Sequence, residues 1–405
     1  MSILECVILM TGLLFCLNLL YWSSKTWGMV LTSVLLLVAL ISTLYWPLFL
    51  GAGVAFVFVM VLNRAEPELA RGKVRENTLR NWVQYLMSLS MLLVGVQYVI
   101  YYSLLGYGIK LGLSRPDVVD AFLPIAGGLE LKAIITLGLW DQSHPAAAVM
   151  LFTVLLSGLL CKRAFCGWIC PLGHAGSYLY QFRLRFVQAK YLPPNWLDWP
   201  LRMLKYLLLL GLLYIIVLAL PSRALPHYLS GYYQQIADLK MAMFFVTPSV
   251  IEAMLIGLVI ALVFWQDRAF CRYLCPYGAM LGLLGFFSPF KVKRDTTHCL
   301  INSKGIECDK CTRACPARIS VHTLQTVRTD ECQACMRCVN ACPQKKALGI
   351  KSVTGHTLSS TGVLIILLLL MFGIPLAAYV GGFWHSQVTD DVRMELMKYI
   401  HQINH

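Results

Sequence analysis

The chain is 405 residues long, with 58% hydrophobic and 13% charged residues, about half the charged share of an ordinary soluble domain. That composition excludes a single water-soluble globular domain and a disordered chain. The net charge of +14 does not mark a nucleic-acid binder, because Lys and Arg fall in alternate loops rather than in one patch.

Taken in chain order, apolar segments long enough to cross about 30 Å of hydrocarbon fall at 3–22, 27–46, 47–63, 82–106, 144–160, 203–221, 248–266 and 360–382. The fold class they predict is an α-helical polytopic membrane protein with seven or eight transmembrane helices. The two counts differ at 27–63, which is either one kinked span or two helices breaking at Pro47. The first segment has Glu5 as its only early charge and no small-residue cleavage site after it, which predicts a retained helix rather than a signal peptide. Arg64, Arg71, Lys73, Arg75 and Arg80 fill one loop. Lys162, Arg163, Arg183, Arg185 and Lys190 fill a second, and Arg268, Arg272, Lys291, Lys293 and Arg294 open a third. The positive-inside bias puts all three on the cytoplasmic side of a bacterial inner membrane. Residues 107–143 and 222–247, poorer in Lys and Arg, read as periplasmic loops, with the C-terminus also periplasmic. No acidic residue reads as buried mid-helix, which counts against a cation-coupled transporter. The expected organisation is N-terminal helices and a basic loop (1–80), a transmembrane core (81–290), a cytoplasmic cysteine-rich module (291–352), and a last helix with a tail (353–405).

Twelve of the fifteen cysteines fall into four groups that each end in Cys-Pro. Cys332-x-x-Cys335-x-x-Cys338-x-x-x-Cys342-Pro343 is an unbroken bacterial-ferredoxin run, a spacing that wraps thiolates around a [4Fe-4S] cube. Cys308-x-x-Cys311-x-x-x-Cys315-Pro316 is a partner run with Gly305 where its first cysteine would stand. Either Cys299 supplies that thiolate across the loop 300–307, which closes at modest entropic cost, or the site keeps three cysteines. In two-cluster ferredoxins the fourth cysteine serves the other cube. The expected ligand sets are therefore Cys299, Cys308, Cys311 and Cys342 for one cluster, and Cys332, Cys335, Cys338 and Cys315 for the other, in a small α+β module. Zinc is the competing use of such paired cysteines. Structural disulfides are not expected in a reducing compartment.

The remaining groups form an internal repeat, Arg163-Ala-Phe-Cys166-Gly-Trp-Ile-Cys170-Pro-Leu-Gly173 and Arg268-Ala-Phe-Cys271-Arg-Tyr-Leu-Cys275-Pro-Tyr-Gly278. Each follows an apolar helix, and in a continuing helix its two cysteines would share a face. Together the pairs would supply four thiolates for a third [4Fe-4S] cluster, for a Cu(I) site, or for redox-active dithiols. Arg313, Arg318, Arg328, Arg337, Lys345 and Lys346 surround the ferredoxin motifs, as a dock for an acidic partner or as charge compensation. Trp168 and Tyr273 read as interfacial anchors, His174 as solvated, and Cys6 and Cys16 as core residues. Cys161 is a spare thiol. His144, His227 and His385 flank helices rather than sitting mid-helix, which disfavours a bis-histidine haem. In the tail, Val392, Leu396, Ile400 and Ile403 predict a short amphipathic helix lying on the membrane or docking a partner.

These motifs resemble the membrane polyferredoxins of the NapH/NosR type, whose shared core is a pair of helix-end C-x3-C-P motifs followed by a double ferredoxin module. The resemblance covers roughly 82–350 and includes Arg115-Pro116, Phe122-Leu-Pro-Ile125, Phe165 to Gly173 and Glu331 to Pro343. It implies a short form without the large periplasmic flavin domain, and electron transfer between the quinone pool or a cytoplasmic donor and a respiratory reductase system. Expected partners are therefore membrane lipid, quinone and other redox subunits: a reductase, a cytochrome or a flavoprotein. An accessory or redox-sensing protein that reduces a metal or thiol for another enzyme is the alternative. No acid–base pair for a substrate reaction stands out, so an electron-transfer subunit is expected rather than an enzyme in its own right.

Overall fold

The computed structural model describes residues 76–109, 114–187, 193–344, 346–352 and 355–403. The predicted spans 3–22, 27–46 and 47–63, and most of the first basic loop, lie outside the described residues. Within them, three helical stretches are long and apolar enough to cross a membrane: Arg80–Gly106, Trp196–Ala219 and Ser360–Val380. The first belongs to α1, Glu76–Gly106, a run free of proline whose Leu, Met and Val carry the hydrophobic load.

The predicted loop 107–143 is largely structured. A 3-10 turn, Asp117–Phe122, leads into α2, Pro124–Leu137, which packs along α3, Pro145–Cys161. Proline opens both helices, where its missing N–H is no loss. Close packing at Gly127, where a Cβ would lie 2.8 Å from the Ala147 carbonyl, explains how two short helices stay in register. This corrects one expectation: Glu130, in the middle of α2, is fully buried and accepts the Ala148 amide at 3.0 Å. A lone Glu in an apolar sequence window gave no signal of its partner, which is an amide at the start of the next helix.

After α3 come a one-turn helix α4, Ala164–Trp168, and α5, Pro171–Phe186. Next is α6, Asn195–Leu213, which continues through a π-helical turn, Tyr214–Ala219. Pro200 stands inside α6, where it cannot donate to the Trp196 carbonyl. The carbonyls of Ile216 and Val217 each accept from the Lys132 ammonium at 3.0 Å. The predicted span 248–266 is half of a broken pair. Helix α7, Ala237–Val246, and α8, Val250–Trp265, meet at 74° across Pro248. Ser249 and Glu252 close α8 with a reciprocal capping box.

Helix α9, Pro276–Leu284, leads into the cysteine-rich module. Three antiparallel strands clamp the module's two ends together, β1 Lys291–Arg294, β2 Leu348–Lys351 and β3 Thr357–Leu358, in the order β1-β2-β3 with Val292 opposite Ile350. Val292, Leu348 and Ile350 face the core, the period-2 alternation of a half-buried sheet. Val321 and Val327 join them, whereas Leu324 is exposed. The last span is α10, Ser360–Leu368, a π-helical turn, and α11, Ile374–Val380.

The tail forms α12, Asp390–Lys398. Part of its apolar face packs inward: Leu396 and Ile400 are buried against Tyr98, Tyr101, Tyr102 and Leu105 of α1, whereas Val392 is exposed. Tyr101 donates to Asp390 Oδ1 at 2.6 Å. Near the other end of α1, Arg80 donates to the Cys335 carbonyl at 3.0 Å. About twenty residues of helix separate these contacts, about 30 Å of rise, so α1 measures one membrane thickness between the cysteine end and a charged end.

Candidate metal centres

The duplicated motif does not continue the helix that precedes it. In the first copy α4 frays at Ile169, and Cys170 is the non-helical N-cap of α5 with Pro171 at its first position. In the second a π-helical turn, Phe270–Leu274, ends at Cys275, the N-cap of α9, whose Sγ accepts the Gly278 amide at 3.4 Å. Each pair thus straddles a helix break enforced by Cys-Pro. The final glycine of C-P-x-G follows from the same geometry. A Cβ on Gly173 would lie 2.8 Å from the Cys166 carbonyl, and one on Gly278 would lie 2.9 Å from the Cys271 carbonyl. The repeat's arginines cross over. Arg163 donates to the Cys271 carbonyl at 3.0 Å, and Arg268 to the Cys166 carbonyl at 3.2 Å. Both are fully buried, so each copy is locked by the other's arginine, a role the shared Arg-Ala-Phe-Cys announced without saying what it bound.

This crossing brings Cys166, Cys170, Cys271 and Cys275 onto one wall of an apolar cavity of about 350 Å³. Met87, Met91, Met150, Val154 and Phe372 line it together with Val118, Ala121, Phe122 and Trp384. Burial pushes the Cys170 thiol up to about 12 and Cys275 up to about 11, with the neighbouring Cys166 adding to both. Reactive dithiols need the opposite, a depressed value. Thiols this reluctant to ionise become good ligands only when metal takes the proton's place.

The ferredoxin motifs fold into two further quartets. Cys315, Cys332, Cys335 and Cys338 line one void with Val292, Val321 and Val327. Cys299, Cys308, Cys311 and Cys342 line another, with Arg294 and His322. Cys299 ends β-like backbone at the start of a short turn, Leu300–Lys304, which Gly305 terminates at φ +63°. The loop 300–307 therefore bulges outward, and Arg294 reaches the Cys299 Sγ at 3.5 Å. Among the described residues no three His, Cys, Asp or Glu side chains close around a single ion. Four cysteines around one void are the donor set that a [4Fe-4S] cube requires. Cys161 is buried in the α3 core and lines none of the three spaces.

The quartets are stacked. A Cβ on Gly167, between Cys166 and Cys170, would lie 2.7 Å from the Gln333 carbonyl and 3.3 Å from Cys335 Cβ. Trp168 donates its indole N–H to the Ala334 carbonyl at 3.1 Å, and Gln84 reaches the Gly167 carbonyl at 2.7 Å. Lys162 donates to the Val327 carbonyl at 3.0 Å, Arg163 to the Asp330 carbonyl at 3.1 Å, and Lys205 ion-pairs with Asp330 and Glu331. Trp168 and Tyr273 are accordingly interior residues, 0% and 1% exposed, rather than membrane-interface anchors. Tyr273 donates to Asp198 at 2.6 Å, which also binds Arg272. His174 is likewise buried, paired with Ser88 at 2.7 Å and set edge-on to Tyr85. Of the expected basic fringe, Arg313, Arg328 and Lys346 are exposed. Arg337 pairs with Asp267, and Arg318 reaches Gln266. Lys345 lies outside the described residues.

The opposite end of the bundle holds a second buried polar group that sequence reasoning missed. One guanidinium, Arg115, pairs with Asp117, Asp120 and Asp238. His144, fully buried, sits between Asp120 Oδ1 at 3.0 Å and the Gln234 carbonyl at 2.6 Å, so neither ring nitrogen is free for haem.

Apolar spanning helices joined to paired cysteine motifs define a membrane iron–sulfur protein. Residues 143–188 and 246–295 each match the family described as a 4Fe-4S binding domain, and residues 291–343 match a 4Fe-4S dicluster domain. The chain is 34% identical over 299 residues to the putative electron transport protein YccM of Escherichia coli K12, covering 72% of this chain and 82% of that one. It is 26% identical to protein NirI of Paracoccus denitrificans, over 58% of this chain and 32% of the relative. It is also 26% identical to regulatory protein NosR of Pseudomonas aeruginosa, over 47% and 25% respectively. No solved structure matches it. The chain belongs to the NapH/NosR-type membrane polyferredoxins.

Proposed function

We propose that this protein conducts electrons along three [4Fe-4S] clusters between a quinone in the bundle and a redox partner beyond the membrane surface. The observation that carries this is the cavity: the four cysteines of the duplicated motif wall an apolar space of about 350 Å³ between helices. A quinone ring and the start of its tail suit such a space. Cys166, Cys170, Cys271 and Cys275 hold the inner cluster. Cys332, Cys335, Cys338 and Cys315 hold the middle one, and Cys299, Cys308, Cys311 and Cys342 the outer one. Each cluster supplies a one-electron site, and the protein supplies their order. At the inner and middle sites Cys166, Cys271, Cys332, Cys335 and Cys338 are buried and Cys170, Cys275 and Cys315 partly so, whereas every cysteine of the outer site is partly exposed, as a hand-over point to a partner requires.

Exposed Lys304, Lys310, Arg313, Arg328 and Lys346 favour an acidic reductase, cytochrome or flavoprotein subunit at that point. The module faces the cytoplasm of a bacterial inner membrane, in line with the positive-inside bias. A relative named as a regulatory protein favours a second use of the same wire, in which the exposed outer cluster reports redox state.

The test is anaerobic mixing of the full chain with a soluble hydroquinone, duroquinol, followed by EPR. Reduced-cluster signals are expected. Filling the cavity with Val154→Phe should abolish reduction by duroquinol and leave reduction by dithionite intact. Equal loss with both reductants, or reduction by neither in the unmodified protein, would refute the quinone assignment.

A further inference from the structure

Several cations at the cysteine end are matched by carboxylates. Arg163 and Lys205 pair with Glu331, Lys205 also with Asp330, and Arg337 with Asp267. Three others are not. Arg80, Lys162 and Arg268 are 4%, 2% and 2% exposed, and none of them pairs with a carboxylate among the described residues. The acids around them are already engaged: Asp267 also binds Ser177, and Asp330 also binds Tyr206. A cation buried without a counter-ion is strongly unfavourable, so something else must supply the negative charge.

The three converge on one stretch of chain from three separate elements. Arg80, from α1, donates to the Cys335 carbonyl at 3.0 Å. Arg268, from the second copy of the repeat, bonds the Gln333 side chain and the Cys166 carbonyl. Lys162, just past α3, donates to the Val327 and Thr329 carbonyls at 3.0 and 3.4 Å. Among the charges around its ammonium, a Cys332 thiolate favours it most. Arg80 Nε and Arg268 Nη2 are buried with no hydrogen-bond partner among the described residues. Lys162 and Arg268 also sit at φ +57° and +58°, a region that residues with a side chain rarely enter and that functional sites tolerate.

The quartet they surround is Cys315, Cys332, Cys335 and Cys338. These ligate as thiolates, and each electron taken up there adds one more negative charge. Resting on the cluster reading above, we infer that Arg80, Lys162 and Arg268 are the counter-ions of the middle cluster and set its reduction potential. Their fixed positive charge favours the reduced form over the oxidised one, so this site takes an electron more readily without taking up a proton. At the outer site the cation in contact is Arg294, beside Cys299 and only half-buried, where water and salt screen it.

An EPR-monitored redox titration of the full chain in detergent, anaerobic and with dithionite as reductant, tests the assignment, with iron per chain as control. In Lys162→Met, and separately in Arg80→Met, the reduced fraction of one cluster at a fixed potential should fall on the order of tenfold. That is a midpoint about 59 mV lower, with iron unchanged. The shift should persist at high salt, because buried charges are screened little, and in the Cys166→Ser, Cys271→Ser background, where the inner cluster is gone. Lys162→Arg, which keeps the charge, should stay near the unmodified midpoint. Unchanged midpoints in both Met variants would overturn the assignment. So would loss of iron in both, or an equal fall in Lys162→Arg, either of which shows a packing role. If the unmodified chain gives no reduced-cluster signal, the cluster reading itself fails, an outcome distinct from variants with unshifted midpoints in a protein that holds its clusters.

Discussion

The two ends of the helical bundle are built on opposite principles. At the cysteine end, the ligating residues arrive in short local runs, and the long-range contacts between them are mostly made by backbone carbonyls, as in the crossed bonds of Arg163 and Arg268. At the other end, the polar group around Arg115 gathers Asp117, Asp120, Asp238, His144 and His385 from four separate stretches of chain. The first kind of site is specified by spacing and survives in a motif. The second is specified by packing and leaves no local trace.

The most severe break of the cysteine end is removal of its thiols: Cys166→Ser with Cys271→Ser should strip the inner cluster while leaving the ferredoxin pair, read as iron per chain. Next is Arg163→Ala. It frees the Cys271 and Asp330 carbonyls while Lys205 still holds Glu331, at a cost of about 1–3 kcal/mol for each buried acceptor left unmade, and should loosen the module from the bundle. Hydrogen exchange over 291–352 would show faster opening; unchanged protection would mean the crossed bond carries little. Gly173→Ala presses a methyl onto the Cys166 carbonyl, an overpacking of about 1–3 kcal/mol. It should lower iron occupancy, whereas Gly257→Ala, with open space around it, should not. The smallest effect is expected far from any cluster. Leu396→Ala should cost about 2 kcal/mol of tail docking, seen as earlier proteolysis after Thr389 with all iron retained.

The same contrast explains what was legible in the sequence. The grouping of Cys299 with Cys308, Cys311 and Cys342 was an expectation from ferredoxin spacing, and the structure places those four around one void. The repeat announced that two helix ends would resemble each other; the hydrogen bond from Trp168 to the Ala334 carbonyl it could not announce, because a tryptophan at a helix end reads equally well as a lipid anchor. Spans 82–106, 203–221 and 360–382 correspond to the three long apolar helices, since twenty apolar residues leave little choice. By contrast, 248–266 hid a bend at Pro248, and 107–143 hid α2, too short to read as a span. Glu130 was unreadable because its partner is a backbone amide of another helix, and His144 because its partners, the Asp120 carboxylate and the Gln234 carbonyl, lie 24 and 90 residues away in sequence.

The central claim is that the duplicated motif holds a third cluster at the cavity wall. Iron and acid-labile sulfide per chain after anaerobic purification, with EPR of the dithionite-reduced protein, test it directly in the unmodified chain and in the Cys166→Ser, Cys271→Ser variant. The account predicts about twelve irons falling to about eight. About eight in both would contradict it, and would leave the four cysteines beside the cavity without a cluster.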